Sequence, residues 1–513
     1  MRIKASDLLL VLASGFFTAL TFPKINLIFF SWISLIPFLF VLSKKKPGQA
    51  FFLGLVGGAA FYTTLIYWIP SVPAHYGNLS IPLSVLIYAA LVLFLALFWA
   101  IFGFLFAAIN RAYPVLVFML APFLWVCTEY LATHLFTGFP WGLIGYGQLK
   151  NVYFIQMASV TGVYGLSFII VLFQSSFVFS IKSHKKSPFF AALTLVLLLH
   201  VAGFVSIKPL PATKESFSAS VIQGNVSSDI VWSELPAGEI DDIFDRHLEL
   251  SRQAHQAGSR FIVWPEFSVP LCFSCPYGIY QHFKDRLFRF VSETGCTLLL
   301  GTNEKKEAGG ETKYYNTALV LKPDLTVKRY FKIHLVPFGE YTPYKKIFSF
   351  ISSVTHAIGD VAPGEEHRLL DYEGAQFGTP ICYEIIFPDL VRKFVKKGAS
   401  FLVTITNDGW YGRSAAPYQH FSMAALRAVE NRRYLLRSAT TGISGIVDPY
   451  GRTLRASELM TQTFLTDMIT PQEKTTLYTQ CGDVLPYTSL TLAVIFLILA
   501  LVKRNNDRRK LFL

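Results

Sequence analysis

The sequence predicts a polytopic helical membrane domain of about eight spans joined to one α/β layered domain outside the lipid. Three observations predict it. Hydrophobic residues make up 52% of the 513 residues and charged residues only 15%, where a water-soluble globular chain carries about 25%. Apolar runs of spanning length crowd the first 210 residues and return near the C-terminus. Between them lies a long stretch of ordinary composition in which strand-like and helix-like segments alternate.

A spanning helix needs about 20 mostly apolar residues. Seven such runs lie near residues 7–22, 26–43, 49–70, 80–108, 113–132, 160–181 and 188–206, and an eighth near 486–502. The first run leads straight into the second without a small-residue cleavage site, so it reads as a span and not as a removable leader. Loop charge orients the set. Arg2 and Lys4, Lys44 to Lys46, Arg111, Lys182 to Lys186, and Lys503 to Lys510 all fall on one side of the bilayer if the eight spans are real. Lys and Arg mark the cytoplasmic side. Both termini are then cytoplasmic, and the large stretch lies on the opposite face, which in a bacterium is the periplasm. The expected domains are 1–211 with seven transmembrane helices, 212–480 as the water-facing domain, and 481–513 as the last helix and a basic tail. Internal repeats and low-complexity linkers are not evident.

Net charge is +13. The basic residues sit between apolar runs and not in a basic–aromatic surface motif, which argues against nucleic acid. Six cysteines, Cys127, Cys272, Cys275, Cys296, Cys382 and Cys481, are too few and too irregular for a disulfide scaffold in so long a chain. Cys272 and Cys275 form a C-x-x-C that reads equally as a local disulfide or two free thiols. A zinc site would need two more ligands, and none stands nearby. No metal and no cofactor is expected. Cys127, Cys296 and Cys481 read as small core residues.

Within 212–480, Phe217 to Ile222, Arg260 to Val263, Leu298 to Leu300, Thr317 to Leu321 and Phe401 to Thr406 read as strands. Glu239 to Gln256 reads as an amphipathic helix. Ala416 to Arg433 reads as a long helix with Arg427, Glu430 and Arg433 on an ion-paired face. Three segments carry chemistry. Val263-Trp264-Pro265-Glu266 puts a carboxylate just after a buried strand. Tyr330 to Glu340 holds Lys332 in an apolar run and ends on a second carboxylate. Thr379-Pro380-Ile381-Cys382-Tyr383-Glu384 holds the thiol. A thiolate is a strong nucleophile at neutral pH, a partly desolvated glutamate can deprotonate it, and a fixed lysine can stabilise an oxyanion. Glu266, Lys332 and Cys382 cover those three roles. His334 and His420 read as structural.

These segments resemble the nitrilase superfamily, whose Glu-Lys-Cys triad sits in this chain order on a four-layer α-β-β-α sandwich. Together with the flanking spans they resemble the apolipoprotein N-acyltransferase family. The resemblance extends through Gln223-Gly224-Asn225, Thr137-Gly138-Phe139-Pro140-Trp141, Asn407-Asp408-Gly409-Trp410-Tyr411-Gly412 and the Gln419 to Arg432 helix, so it covers nearly the whole chain. It implies that Glu266 is the general base, Lys332 the oxyanion stabiliser and Cys382 the nucleophile. It further implies supporting roles for Glu340, Tyr383 and Glu384, and a substrate-holding role for Trp232. The family's usual Asn is Thr440 here, and Gly409 and Tyr411 replace the usual Ala and Phe. The Thr440 departure implies a loop near the site held by different hydrogen bonds.

The implied reaction moves an acyl chain from the sn-1 position of a phospholipid, through a thioester on Cys382, to the α-amino group of a diacylglyceryl-cysteine apolipoprotein. Such a protein is expected to be monomeric and multi-pass in the bacterial inner membrane. Its substrates are costly to remove from lipid, because each buried CH₂ is worth about 0.8 kcal/mol. The aromatics Phe136, Phe139, Trp141 and Tyr146 suit an interfacial belt, and Phe348, Phe350 and Ile351 suit a lid over an acyl chain. Glu129, near the end of the fifth span, either faces the site or snorkels to the interface. A membrane-tethered amidase would share the triad and differ only in using water as acceptor. A transporter or structural membrane protein is disfavoured by the scarcity of charge inside the spans.

Overall fold

The computed structural model describes residues 3–227, 236–268, 272–275, 278–308, 311–343 and 361–511. Trp232, Phe348, Phe350 and Ile351, to which the sequence assigns substrate-holding and lid roles, lie outside these described residues. The chain divides into two compact units. One comprises Met1–Pro70, Ile81–Lys208 and Cys481–Leu513, and the other Ser71–Ser80 and Pro209–Gln480.

The first unit is helical. Among the described residues, six helices are long and apolar enough to cross a membrane: Pro47–Leu65, Ile81–Ala112, Leu116–His134, Phe154–Ser183, Ser187–Ser206 and Val484–Asp507. The other two expected spans are shorter. Ala5–Ala19 has 15 residues, a rise of about 22 Å at 1.5 Å per residue, against a hydrocarbon core of about 30 Å. Ile28–Leu42 is broken into a 3₁₀ turn, Ile28–Trp32, and a helix, Ile36–Leu42. Small residues let the long helices approach, as membrane helices commonly require. At Gly54 an added Cβ would lie 2.4 Å from the Trp99 carbonyl oxygen.

Two expectations are corrected in this unit, the aromatic belt and a core position for Cys481, and the open choice at Glu129 is narrowed. Trp141 and Tyr146 are buried, at 1% and 2% exposure. Trp141 packs on Phe139 and Trp68, with ring centroids 5.9 and 5.2 Å away. They therefore form core and not a belt, while Phe136 is exposed. Glu129 is also buried. Its Oε1 accepts from Trp125 Nε1 at 3.0 Å and from the Ile144 backbone N–H at 2.8 Å. It thus ties the 135–144 loop to its own helix and does not snorkel. Cys481, expected in a core, is exposed at the end of the short helix Leu477–Cys481.

The second unit is built on two six-stranded sheets. The strands are β1 Phe217–Gln223, β2 Phe261–Val263, β3 Thr297–Ala308, β4 Glu311–Leu321, β5 Val327–Phe331, β6 Leu370–Tyr372, β7 Ala375–Gly378, β8 Phe401–Thr406, β9 Leu435–Ala439, β10 Gly445–Val447, β11 Thr453–Ala456 and β12 Thr463–Ile469. The orders are β12-β1-β2-β3-β4-β5 and β11-β10-β9-β8-β7-β6. Each sheet has three neighbouring parallel strands, β1-β2-β3 in one and β7-β8-β9 in the other, with antiparallel strands outside them.

Strand parity explains the layers. In β2, Phe261 turns toward the other sheet and meets Phe377 and Phe401 at 5.4 and 6.0 Å. Ile262 and Trp264, on the alternate face, join an apolar cluster with Phe244 and Leu248 of the Ala237–Gln256 helix and Phe283 and Leu287 of the Gly278–Thr294 helix. On the far side, Phe394 of the Pro388–Lys396 helix lies over β7 at Gly378, where a Cβ would approach within 2.5 Å. The order is helices, sheet, sheet, helices, the expected α-β-β-α sandwich. The Ser71–Ser80 segment, which interrupts the first unit in sequence, packs here: Tyr76 donates its hydroxyl to the Gly409 carbonyl at 3.1 Å and its ring meets Trp410.

Candidate active site

The expected site residues follow the ends of strands in both sheets, where open α/β sheets place their sites. Glu266 comes three residues after β2. Its turn lies directly over β3 at Gly301, where a Cβ would sit 2.5 Å from the Glu266 Cα. Lys332 is the first residue after β5. Its backbone N–H donates to the Asn316 carbonyl at 2.9 Å, which extends the β4–β5 register and sets the two residues opposite each other. Glu340 closes a tight turn in which its N–H donates to the Val336 carbonyl at 2.9 Å.

These elements bring three charged groups together. Lys332 Nζ lies 2.9 Å from Glu340 Oε1 and 3.3 Å from Glu266 Oε1. Asn316 Nδ2 donates to the same two oxygens, at 2.7 and 2.8 Å. The Asn407 N–H holds Glu266 Oε2 at 2.9 Å, and the Val336 N–H holds Glu340 Oε2 at 2.8 Å. All three charged side chains are buried. Burial works against the Lys332 ammonium, yet Glu340, Glu266 and Cys382 around it hold its pKa above the ordinary lysine value. An ammonium has three N–H groups. Two face carboxylates, so one remains for a further acceptor.

Cys382 enters from the second sheet. Ile381 bridges Ile405 of β8 in parallel, so Cys382 falls beside Thr406. Its φ is +51°, a left-handed conformation that is uncommon outside glycine and that clusters at functional sites. His420 Nε2 lies 3.2 Å from the Cys382 carbonyl oxygen and Thr406 Oγ1 lies 3.2 Å from the sulfur. Burial, reinforced by the Glu266 carboxylate, pushes the thiol pKa up, and the opposing pull of Lys332 does not offset it. The sulfur therefore rests as a thiol and needs a base before it can attack.

Glu384 links the two halves. Its carboxylate accepts from Tyr330 Oη at 2.9 Å and from the N–H groups of Ile333, His334 and Ile381 at 2.7, 3.0 and 2.7 Å. Burial nonetheless pushes its pKa up to about 7. Glu384 is thus a brace between the Lys332 strand and the Cys382 turn. Tyr383 packs its ring on His334 and Phe387.

Asn316, Thr406 and a buried cluster of Asp408, His420 and Arg437 complete the surroundings, and sequence reasoning did not single them out as a site. Asp408 Oδ1 lies 2.8 Å from His420 Nδ1 and Oδ2 lies 2.6 Å from Arg437 Nη2. Although burial disfavours its charge, Arg437 and His420 hold the Asp408 carboxyl down at about 2. A signal did exist: Arg437 sits mid-strand in a fully buried run, where an unpaired charge is almost never found. Thr440 reaches the Glu266 carbonyl at 3.3 Å and the Thr406 carbonyl at 3.4 Å, so it ties β9 to both halves.

Three further expectations are settled by geometry. Cys272 and Cys275 are disulfide-bonded. Arg427 and Glu430 are paired at 2.9 Å but fully buried. Arg433 lies beyond the helix Ala416–Asn431 and donates instead to carbonyls, including those of Ala399 and Lys474 at 2.7 and 2.8 Å. The expected ion pair is therefore present at Arg427 and Glu430, inside the core, and Arg433 is corrected to a separate clamp on backbone carbonyls.

The "Apolipoprotein N-acyltransferase N-terminal domain" family matches residues 14–176, and the "Carbon-nitrogen hydrolase" family matches residues 218–476. An apolipoprotein N-acyltransferase of Geobacter metallireducens is 36% identical over 509 residues, covering 97% of this chain and 96% of that protein. One from Photobacterium profundum is 29% identical, covering 98% and 96%. A mutant amidase of Nesterenkonia AN1 from the nitrilase superfamily is similar at 20% identity, with a TM-score of 0.39, over 55% of this chain and 99% of that one. With a membrane-type helical unit, a carbon-nitrogen hydrolase unit and a full-length relative above 30% identity, the chain belongs to the apolipoprotein N-acyltransferase family.

Proposed function

We propose that the chain transfers an acyl chain from the sn-1 position of a phospholipid to the α-amino group of a diacylglyceryl-cysteine apolipoprotein, with Cys382 carrying the acyl group as a thioester. The observation that carries this reading is the buried Lys332, held by Glu266 and Glu340 with one N–H left over, within electrostatic reach of a thiol that needs a base.

Glu266 takes the Cys382 proton, and the thiolate attacks the ester carbonyl. Lys332 donates its remaining N–H to the oxyanion. The tetrahedral adduct collapses, the C–O bond breaks, and Glu266 returns the proton to the departing lysophospholipid alkoxide. The amine then attacks the thioester, Glu266 accepts an amine proton, and collapse expels the Cys382 thiolate, which is reprotonated. The product is an amide. Splitting one acyl transfer into two easier steps is the advantage of a covalent intermediate. Both substrates are lipids, which suits a chain with six helices of spanning length among its described residues.

Domain boundaries at 211 and 480, a catalytic domain on the periplasmic face of the bacterial inner membrane, cytoplasmic termini and a monomeric state belong to the same proposal. They rest on loop charge and on the lipid nature of the substrates. Incubating the purified protein with phospholipid should add one acyl mass to the peptide bearing Cys382, and Cys382→Ala should lose both that adduct and N-acylation of a model lipoprotein. Retention of acylation at the parental rate would remove Cys382 from the mechanism. Amide-linked acyl product with little free fatty acid separates this reading from an amidase.

A further inference from the structure

We propose that Thr406 is a positioning residue for the Cys382 sulfur, and that its one O–H switches its hydrogen bond between Asp408 and the sulfur as the sulfur gains and loses charge. This rests on Cys382 being the nucleophile. Thr406 Oγ1 lies 3.2 Å from Cys382 Sγ and 3.1 Å from Asp408 Oδ1. A hydroxyl has one proton to donate and two lone pairs, so it cannot donate to both at once.

The protonation state of the sulfur decides between them. In the resting thiol, the ionised Asp408 carboxylate is the stronger of the two acceptors and takes the Thr406 O–H on Oδ1, so the S–H proton stays available to Glu266. Once Glu266 has taken the thiol proton, the sulfur can only accept, and the Thr406 hydroxyl turns to donate to it. Asp408 tolerates the loss because His420 Nδ1 remains 2.8 Å from Oδ1 and Arg437 Nη2 remains 2.6 Å from Oδ2. When the sulfur becomes a thioester its charge is gone, and the hydroxyl returns to Asp408. The thiol proton goes to Glu266, the hydroxyl keeps its own, and no co-reactant is needed. Asp408 stays ionised throughout, with its pKa held at about 2.

The arrangement is built and not incidental. The Ile381–Ile405 bridge fixes Thr406 beside Cys382, the His420 contact holds the Cys382 carbonyl, and Thr406, Asp408, His420 and Arg437 are all buried. The charged and titratable groups facing the sulfur are Glu266 after β2, Lys332 after β5, and Asp408 and Tyr411 after β8. His420 stands on the Ala416–Asn431 helix and Arg437 on β9. A change at Thr406 alters none of these charges.

The test is the rate of Cys382 alkylation by iodoacetamide in the full-length protein, read by peptide mass spectrometry so that Cys127, Cys296 and Cys481 are counted separately. The rate follows the thiolate fraction. Thr406→Val should move the alkylation midpoint to higher pH by about one to two units, and slow the reaction at neutral pH about ten-fold or more, since hydrogen bonds to charged groups are among the stronger ones. Thr406→Ser, which keeps the hydroxyl, should titrate like the parent. Thr406→Ala makes the same measurement should the valine variant not fold. A parental profile in the Val or Ala variant overturns the proposal. So does a Ser variant shifted as far as Val, because packing alone would then be responsible. If Cys382→Ala still transfers acyl groups, it is the nucleophile assignment that falls, whatever Thr406 does.

Discussion

The two sheets bring unlike halves to one site. The first contributes fixed charge: Glu266, Lys332 and Glu340, each held by at least two partners, with Asn316 bridging both carboxylates. The second contributes a neutral sulfur hydrogen-bonded to a hydroxyl, with the ionised Asp408–Arg437 pair one group further back. The difference follows from what each half must do. Base and oxyanion donor are charged before substrate arrives, so they can be fixed by charge-assisted bonds. The sulfur is charged only briefly, and a hydroxyl can donate to it then without holding it as a thiolate at rest. Burial, with the Glu266 carboxylate adding to it, keeps the thiol protonated until that carboxylate takes the proton.

Substitutions on the charged side should cost more than the tenfold effect expected at Thr406. Lys332→Met removes the oxyanion donor and leaves Glu266 and Glu340 facing each other without a cation. The acyl-enzyme should form about 10³-fold more slowly, at the upper end for loss of one such donor, as measured by the rate at which the Cys382 adduct appears. A loss within tenfold would mean that another group holds the oxyanion. Glu340→Gln is milder. The amide oxygen can still accept from Lys332, and Glu266 remains, so only orientation and one charge are lost. We expect a fall of roughly ten- to a hundredfold in kcat, the size associated with losing a supporting partner of a functional group, with little change in KM. A KM effect of the same size would place Glu340 in substrate binding.

The legibility of this molecule in its sequence divides along physical lines. Glu266, Lys332 and Cys382 stand out in the sequence mainly because the segments around them resemble a known family, and Glu340 does so only through that resemblance, since their spacing alone says little. The Phe401–Thr406 strand was read to the residue, because six buried residues in a row leave little alternative. β6, β7, β10 and β11 were not read, since three or four residues are too few to show a period and β11 is exposed along its length. Thr406 was invisible as a site residue because threonine is an ordinary strand former. The spacing of Arg427 and Glu430 correctly implies their ion pair, but a spacing of three marks a pair on a surface or inside a core alike, so their burial was not legible. Of the eight expected spans, those at Ala5–Ala19 and Ile28–Leu42 are apolar but shorter than the others, because apolar composition does not by itself fix where a helix stops.

Glu384 tests whether the two halves are held as one, and it does so through pH. It spans them, with Oε1 on the Ile333 and His334 N–H groups and Oε2 on the Ile381 N–H. Burial raises its pKa from 4.5 to about 7, so the folded protein holds this proton more tightly than the unfolded chain. Its contribution to stability is therefore complete below pH 4.5 and is lost as pH rises through about 7, a change of about 3 kcal/mol at 1.36 kcal/mol per unit. Glu384→Gln has no proton to lose. The Tm of the parent minus that of the variant should shrink steadily across this window. Taking the difference cancels His247 and His367, whose pKa values burial pushes down to about 4 and whose contributions run the opposite way. Asp408, held at about 2, contributes fully above its ordinary 3.8 and stays out of the window. A Tm difference that is flat across it would mean that Glu384 is ionised throughout, and that four donors outweigh burial at the joint between the sheets.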